Sequence, residues 1–462
     1  MNHPFAPGHG IVAIVAGAFF GLSATAIQAQ DTAPSSTPST SPSAPTAGST
    51  TPRTTTSPST FGPTDPNPYY IGVSQAITHD SNVFRIPNGP SDNYSSTSLL
   101  GGFDQPISRQ RVFGRASVSS NRYQKADELN NVSYNLSTGA ALETINNISG
   151  GINFALNRNL TSPLVNAGPA QQRRNTVNNR SIDASLRYGG ASLLTLEGSA
   201  GYSKTDYSLP ESSASDATFK TVGVTLYYRP GGPLRLGVGV RGTRTEAPQA
   251  FSNTATGVTQ GNTQKGTNLD FLADYEVSGL VSTSGRISYT KQTNSSLGSD
   301  ADFSGLTGSL QVGWRPTGKL GVNLTASRDA GYNTSPFTTY VLVQTGTGPI
   351  LTPVTGQYQN NQITNSLALG ATYAATAKVS ANAGLRYSRA KLASASGTNV
   401  GSISGAPTTD VVKGAYVAAN YDVWRGLSAS CSLSHEKRDV SGAVGFAYSA
   451  NTVGCSAQYL WR

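Results

Sequence analysis

The chain has 462 residues and a formal net charge of +9, yet only 12% of its residues are charged and 37% are hydrophobic. Disordered chains combine low hydrophobicity with high charge, and a soluble protein of this size needs a more heavily charged surface, so this composition argues against both classes. The basic residues are scattered singly along the chain, and we therefore expect no nucleic-acid partner.

The N-terminus contains one short apolar run, from Ile11 to Leu22, which is followed by small residues up to Ala29. This pattern predicts a cleaved signal peptide over residues 1–29, although no Lys or Arg precedes the run. An uncleaved, buried N-terminal helix is the alternative. No later stretch approaches the roughly 20 apolar residues that a transmembrane helix needs.

Residues 30–68 are rich in Pro, Ser and Thr and contain almost nothing that could build a core. They predict a disordered linker, partly of polyproline-II character. Two roles remain open for this arm. It is either a plain spacer or a tether that reaches a partner or the cell wall.

From Tyr69 onwards apolar and polar residues alternate, as in the segments 234–241, 306–314 and 379–387. A period of two is typical of a β-strand with one apolar and one polar face. The alternation divides the rest of the chain into eighteen predicted strands: 69–80, 94–105, 109–123, 128–143, 147–160, 176–189, 192–207, 217–229, 234–247, 266–278, 281–294, 302–315, 319–333, 361–374, 378–392, 410–423, 426–437 and 450–462.

These strands predict an all-β fold, a transmembrane up-and-down antiparallel β-barrel over residues 69–462 in the outer membrane. The apolar faces would contact the lipid bilayer, because the polar faces carry too little charge to form a soluble exterior. Tight turns alternate with mostly long loops, and an even number of strands places both termini, and with them the linker at residues 30–68, on the periplasmic side. A soluble β-sandwich array or a β-helix is the alternative.

A barrel of 16–18 strands is too wide for its side chains to fill, so we expect a water-filled lumen. The alternation assigns these charged residues to its lining: Arg111, Arg115, Asp183, Arg187, Glu197, Arg235, Arg241, Asp270, Asp274, Glu276, Arg286 and Arg386. Positive charge is in excess in this set, which predicts a weak preference for anions. If the turn centres near Leu280, Asp274 and Arg286 would lie opposite each other. The long loop at about 333–360 would either constrict the lumen or form an exposed extracellular hairpin.

Two cysteines, Cys431 and Cys455, share the outward phase of what should be adjacent strands. A final hairpin centred near Ala443 would bring them face to face. The periplasm is oxidising and permits a disulfide between them, and two unbonded lipid-facing thiols are the alternative.

The candidates for catalysis are few. After removal of the predicted signal peptide the histidines are His79 and His435, both near extracellular strand ends, and the sequence has no cluster with metal-ligand spacing. Ser434 precedes His435 but points to the opposite face of its strand, so the two cannot act as a nucleophile and its base. We expect no enzyme activity, no cofactor and no metal.

The first predicted strands carry recognisable motifs: Asp80-Ser81-Asn82-Val83-Phe84-Arg85, Ser91-Asp92, Asp104-Gln105-Pro106-Ile107-Ser108-Arg109-Gln110-Arg111, and Leu129 with Val132-Ser133-Tyr134. They resemble the β-barrel porin 2 family, whose EpsL-type members are associated with exopolysaccharide biosynthesis and export. The resemblance implies an outer-membrane barrel that handles polysaccharide and whose N-terminal arm reaches periplasmic or polysaccharide-synthesis machinery. It transfers no catalytic or binding residue.

Together these patterns predict a channel that passes a polar solute or a glycan chain through a mildly basic, water-filled lumen. A general diffusion porin and a structural or adhesive outer-membrane barrel are the alternatives.

Overall fold

The computed structural model describes residues 68–144, 147–161, 173–190, 192–253, 258–277, 279–295, 302–345, 348–392, 408–441 and 447–461. The predicted signal peptide and nearly all of the predicted linker lie outside these residues. Eighteen strands are present in the described ranges: β1 (Tyr69–Asp80), β2 (Asp92–Ile107), β3 (Gln110–Tyr123), β4 (Asn131–Glu143), β5 (Ile148–Leu160), β6 (Thr176–Tyr188), β7 (Leu194–Tyr207), β8 (Ala217–Tyr228), β9 (Leu234–Asn253), β10 (Val258–Val277), β11 (Val281–Asn294), β12 (Phe303–Trp314), β13 (Leu320–Thr345), β14 (Gly348–Ala374), β15 (Val379–Leu392), β16 (Thr408–Trp424), β17 (Leu427–Ser441) and β18 (Tyr448–Trp461).

Short 3-10 helices occupy Asp127–Leu129 and Pro210–Ser215. Over the described ranges, no helix has the length and apolar character that crossing a bilayer requires.

Every strand pairs antiparallel with its neighbours in the chain, and the first strand also pairs with the last. The register of β1 with β18 runs from Ile71 opposite Trp461 to Asp80 opposite Thr452. The sheet is therefore a closed ring without a free edge, which is the predicted up-and-down barrel. Each even-numbered strand from β2 to β16 is joined to the next strand by a connection of two to five residues, and these connections all lie at one end of the barrel. This end is called the turn side. The opposite end is called the loop side.

The two faces of the wall have inverted polarity. In β1 the side chain of Ile77 is 65% exposed, whereas its neighbour Thr78 is 6% exposed. The same inversion recurs around the ring, since Val222 is 63% exposed and Ser288 is fully buried. Soluble proteins bury apolar residues and expose polar ones. A closed barrel with an apolar exterior and a polar interior is the membrane-spanning type, as predicted.

Aromatic side chains mark the turn-side rim of the apolar exterior. Trp314 and Trp461 are each 49% exposed, and Tyr188 and Tyr228 also point outward there. Tyrosine and tryptophan favour the boundary between hydrocarbon and headgroups, so these residues indicate where the apolar band ends on the turn side.

The largest differences from the predicted boundaries concern two long hairpins. β9 and β10 extend to Asn253 and Val258, and β13 and β14 remain paired from Leu320 opposite Tyr373 to Thr345 opposite Gly348. The segment at about 333–360, predicted as a loop, therefore has the backbone of two paired strands. Its many Thr, Tyr and Val residues favour extended structure.

The two long hairpins meet at the loop side. Beyond its pairing with β8, the backbone of β9 pairs with β14, with Asn253 opposite Gly356 and Ser252 opposite Gln357. β9 and β14 are separated by four strands in the ring, so this pairing brings two distant parts of the wall together above the mouth. Both hairpins also contact the 3-10 helix Pro210–Ser215.

A small apolar core lies at the loop side, and it is built by the β1–β2 connection. Val83 and Phe84 of this connection are buried against Tyr94 and Tyr123, whose rings stack with centroids 4.8 Å apart. The following residues complete the cluster: Ala126, Leu129, Leu160 and the partly buried Ile86. Because Tyr94 and Tyr123 belong to the inward face of β2 and β3, the connection folds into the barrel and not away from it.

The last hairpin places Cys431 opposite Cys455 on the outward face, and the structure contains a disulfide between them. We predict that this bond forms in the exported protein. Purified protein denatured without reductant should then add no alkyl groups at cysteine by intact mass, and should add two after reduction. Cys431→Ser is the control, because its remaining thiol cannot form the bond and should be alkylated at once.

Reduction should also lower the midpoint of urea unfolding. The bond closes a segment with a sequence separation of 24 in the unfolded chain, which corresponds to about 3.5 kcal/mol of stabilisation from loop entropy. Alkylation of both thiols before reduction would show that the bond is absent from the protein.

Candidate functional site: the inner wall of the barrel

Strand alternation places each of the twelve predicted lining residues on the inward face. Each one lies one residue from an exposed apolar neighbour or directly across from an inward partner: Arg111, Arg115, Asp183, Arg187, Glu197, Arg235, Arg241, Asp270, Asp274, Glu276, Arg286 and Arg386.

Several ion pairs bridge neighbouring strands on this face, among them Arg111 with Asp104 of β2, and three further pairs show the geometry. Arg187 donates from Nε to the Glu197 carboxylate at 3.1 Å, joining β6 to β7. Arg241 donates from Nε and Nη2 to the two oxygens of Asp270 at 2.9 and 3.2 Å, joining β9 to β10. The bidentate geometry fixes the orientation of the guanidinium group as well as its charge.

The third pair also involves an aromatic ring. Arg235 donates from Nε to Asp274 at 3.0 Å, and its guanidinium carbon lies 3.8 Å from the centre of the Tyr227 ring. Gly237 makes room for this ring, because a Cβ there would lie 2.7 Å from it. A cation held between a carboxylate and a ring face is stabilised from both sides.

The predicted opposition of Asp274 and Arg286 is wrong. Asp274 lies opposite Arg235 on β9 and opposite Ser284 on β11, while Arg286 lies opposite Leu272. The β10–β11 turn centres on Gly279, whose φ of 69° suits glycine, and not on Leu280. Moving the centre of a hairpin by one residue moves every cross-strand partner by two.

The sequence reasoning missed a charge cluster at the loop side. Arg85 is 3% exposed and donates from Nη1 to the buried carboxylate of Asp80 at 2.8 Å. Its Nε lies 4.0 Å from Glu436 on β17, which also forms an ion pair with Arg386 on β15 and accepts a hydrogen bond from the Tyr448 hydroxyl at 2.6 Å. The cluster ties the inward-folded β1–β2 connection to three strands of the wall.

A glycine makes one of these contacts possible. Arg386 reaches Glu436 across Gly414 of the intervening strand, where a Cβ would lie 2.5 Å from the arginine Nε. The available signal in the sequence was the Asp80–Arg85 motif, but its partner Glu436 is about 350 residues away and only the closure of the ring brings them together.

The inward charges are close to balance, so the predicted excess of positive charge does not hold. Arg85 and Arg438 join the inward arginines, and Arg438 binds Asp410 through two hydrogen bonds of 3.0 and 2.8 Å. More carboxylates than arginines join the set within the described strands: Asp80, Asp92, Asp104, Asp329, Asp410 and Glu436. The set predicted from the sequence omitted these carboxylates because most of them lie near strand ends, where the alternation is hardest to follow.

The histidines do not form a catalytic group in the described residues. His79 and His435 both face outward and lie 2.8 and 2.7 Å from the side-chain oxygens of Asn93 and Asn451. Ser434 points inward, away from His435. Over the described ranges, no three His, Cys, Asp or Glu side chains are grouped so that they could hold a metal ion.

No protein-family model matches the chain. No curated protein matches it either. Thus the resemblance to the β-barrel porin 2 family rests on the motifs alone.

Among solved structures, the chain is similar to the outer membrane protein OpdK from Pseudomonas aeruginosa, with 11% identity, a TM-score of 0.41, and coverage of 85% of this chain and 99% of OpdK. The siderophore receptor PirA from Acinetobacter baumannii shows 9% identity, a TM-score of 0.43, and coverage of 86% and 81%. OccK2 from Pseudomonas aeruginosa, solved in complex with glucuronate, shows 11% identity, a TM-score of 0.39, and coverage of 86% and 99%. The class of this protein, a closed membrane-spanning barrel of 18 antiparallel strands, is defined by its own strand pairing and face polarity.

Ion selectivity tests the charge balance of the inner wall. Since inward carboxylates outnumber inward arginines, we predict a weak preference for cations, measured as the reversal potential in a KCl gradient. Asp183 is an exposed inward carboxylate, so Asp183→Asn should shift the reversal potential toward anions. Lys265→Gln changes one charge on the outward face of the wall and should leave the potential unchanged. A clear anion preference of the wild type would contradict this account.

Proposed function

We propose that this protein is an outer-membrane channel that lets small polar solutes diffuse through its lumen. The observation that carries the proposal is the closed ring of 18 strands with an apolar exterior and an inner wall of paired charges. Barrels of this size leave an aqueous channel, because their side chains are too short to fill it. Polar groups on the wall keep water in the lumen and disfavour apolar solutes.

The proposed orientation puts the turn side in the periplasm. Both ends of the barrel chain lie at the turn side, since Ile71 pairs with Trp461. The predicted signal peptide and the predicted linker at residues 30–68 precede the first strand, so the linker would emerge into the periplasm. Its proposed roles remain those of a spacer or a tether to a periplasmic partner.

Planar-bilayer recording and liposome swelling test the channel directly. Refolded protein should produce stepwise conductance and should let small neutral sugars into liposomes at rates that fall with sugar size. A barrel that inserts and folds but neither conducts nor passes sugars would contradict the proposal and favour the structural or adhesive alternative.

The pairing of β9 with β14 suggests that the long hairpins restrict the mouth of this channel. Joining Asn333 to Asn360 through an Asn-Gly turn removes the pairing and keeps β13 and β14 in the wall. We predict that this deletion raises the single-channel conductance. Removing only residues 342–351 shortens the tip and keeps the Gly356–Asn253 pairing, so this control should conduct like the wild type.

Equal conductance of the deletion and the wild type would show that the hairpins do not limit passage. The measurement should be made in high salt, where surface charge contributes little to conductance.

Export of an exopolysaccharide is a more specific form of the same function, and the motifs that resemble the β-barrel porin 2 family favour it. A glycan chain would need the inward polar groups as hydrogen-bonding partners along the lumen. Deletion of the gene should then abolish secretion of the polysaccharide. Expression of the hairpin-deleted protein in that strain should restore secretion at least as well as the wild-type protein does. Unchanged secretion in the deletion strain would leave general diffusion as the function.

A further inference from the structure

Six consecutive strands each carry one basic residue on the outward face near the loop side. These residues are Arg180 on β6, Lys204 on β7, Lys220 on β8, Arg244 on β9, Lys265 on β10 and Lys291 on β11, and together they are called the basic belt. Their outward direction follows from the alternation, because each shares the phase of the exposed apolar residues of its strand.

The basic belt lies where the apolar exterior ends. Lys220 is the next outward residue beyond Val222, and Lys291 is the next beyond Tyr289. The other four lie one or two outward positions beyond the last large apolar residue of their strands. This level corresponds to the headgroup region of the leaflet on the loop side, provided that the barrel spans an outer membrane as proposed above.

The arrangement is unfavourable for the sheet alone. Lys220 lies directly opposite Arg244, and Arg244 lies directly opposite Lys265. Arg180 lies opposite Lys204 in the same way. Like charges placed directly across a strand pair destabilise a sheet. An anionic partner outside the barrel would remove this repulsion.

The carboxylates nearby only partly compensate the charge. Glu246 pairs with Lys220 at 3.2 Å and with Arg244 at 2.6 Å, and Asp206 pairs with Lys204 at 2.9 Å. The Lys220 and Arg244 side chains remain about half exposed, at 48% and 52%. Ammonium and guanidinium groups therefore keep donors free to bind oxygens of a ligand that lies alongside the wall.

The turn-side ends of the same strands differ. Their outward positions carry aliphatic and aromatic residues such as Leu186, Tyr228 and Tyr275 in the described strands. The strand residues Arg187 and Arg235 at that end point inward. Other basic residues on the turn side of the barrel lie in connections between strands, among them Arg229, Arg315 and Lys378. In strands β6 to β11, the row of outward basic residues is therefore found at the loop side and not at the turn side.

We propose that the basic belt binds the phosphate groups of lipopolysaccharide in the loop-side leaflet. This inference rests on the proposed placement in an outer membrane, whose outer leaflet consists of this phosphorylated glycolipid. Acyl chains would cover the apolar band below the belt, and the phosphates would accept charge-assisted hydrogen bonds from the lysine and arginine side chains. The belt would thereby hold lipid along the outside of strands β6 to β11.

The first test uses the wild-type protein in detergent. Lipopolysaccharide should raise its apparent unfolding temperature, and the same lipid after enzymatic removal of its phosphates should raise it much less. Added salt should weaken the effect, because part of the attraction acts at exposed charges. Equal stabilisation by the two lipids would overturn the proposal in favour of binding by acyl chains alone.

The second test compares two triple variants. Lys220→Gln with Arg244→Gln and Lys265→Gln should reduce the lipopolysaccharide that copurifies with the barrel by about tenfold or more, the effect of losing one hydrogen bond to a charged group. Arg229→Gln with Arg315→Gln and Lys378→Gln removes the same charge at the turn side and should retain the lipid. Equal retention in both variants would mean that the belt is only a solvated surface.

Two controls separate the outcomes. The belt variant relieves like-charge repulsion, so without lipid it should unfold at a urea concentration no lower than the wild type. If the variant does not fold, the unfolding temperatures of the wild-type protein with the two lipids decide the question. Both variants should conduct like the wild type in planar bilayers. If the barrel conducts but is stabilised equally by the two lipids, the lipopolysaccharide proposal is wrong and the channel proposal stands. If the barrel binds lipopolysaccharide but does not conduct, the channel proposal is wrong.

Discussion

The structure depends on one constraint, the pairing of every strand of the wall with two neighbours. Backbone N–H and C=O groups inside a bilayer have no water to bind, and a sheet there must have no free edge. The register between β1 and β18, from Ile71–Trp461 to Asp80–Thr452, meets this requirement by closing the ring. Closure also joins chain segments that are hundreds of residues apart. Arg85 contacts Glu436 for this reason, and the first loop is anchored to strands β15 and β17 near the end of the chain.

The second consequence of closure is a division of charge between the two sides of the wall. Inward arginines such as Arg241 and Arg438 are held by carboxylates, so the lumen is close to neutral. The formal charge of +9 therefore cannot be assigned to the pore. A share of it lies on the outward face, where Lys220, Arg244 and Lys265 stand side by side. Net charge alone says nothing about which side of a barrel carries it, and in this protein the two sides differ.

The loop side combines three features that act on the mouth of the barrel. The β1–β2 connection folds inward and buries Val83 and Phe84. The long hairpins β9–β10 and β13–β14 pair with each other through Asn253 and Gly356. A barrel of uniform wall would have similar openings at both ends, so under the proposed function these additions are the parts that would control passage. The turn side, by contrast, has only connections of two to five residues.

The sequence by itself determined the barrel, the number of strands and the direction of nearly every side chain, because a period of two can be read locally wherever one face is apolar. It also placed Cys431 opposite Cys455, since the last hairpin is nearly symmetric about Ala443. Only the tertiary structure decided the partner of Asp274, which depends on a turn centre one residue away, and the burial of Arg85, whose partners come from the other end of the chain. For the segment at 333–360 the sequence left a constricting loop and an exposed hairpin both open, because strands outside the apolar band lack the alternation by which the others were found. Only the tertiary structure shows that its paired strands meet β9.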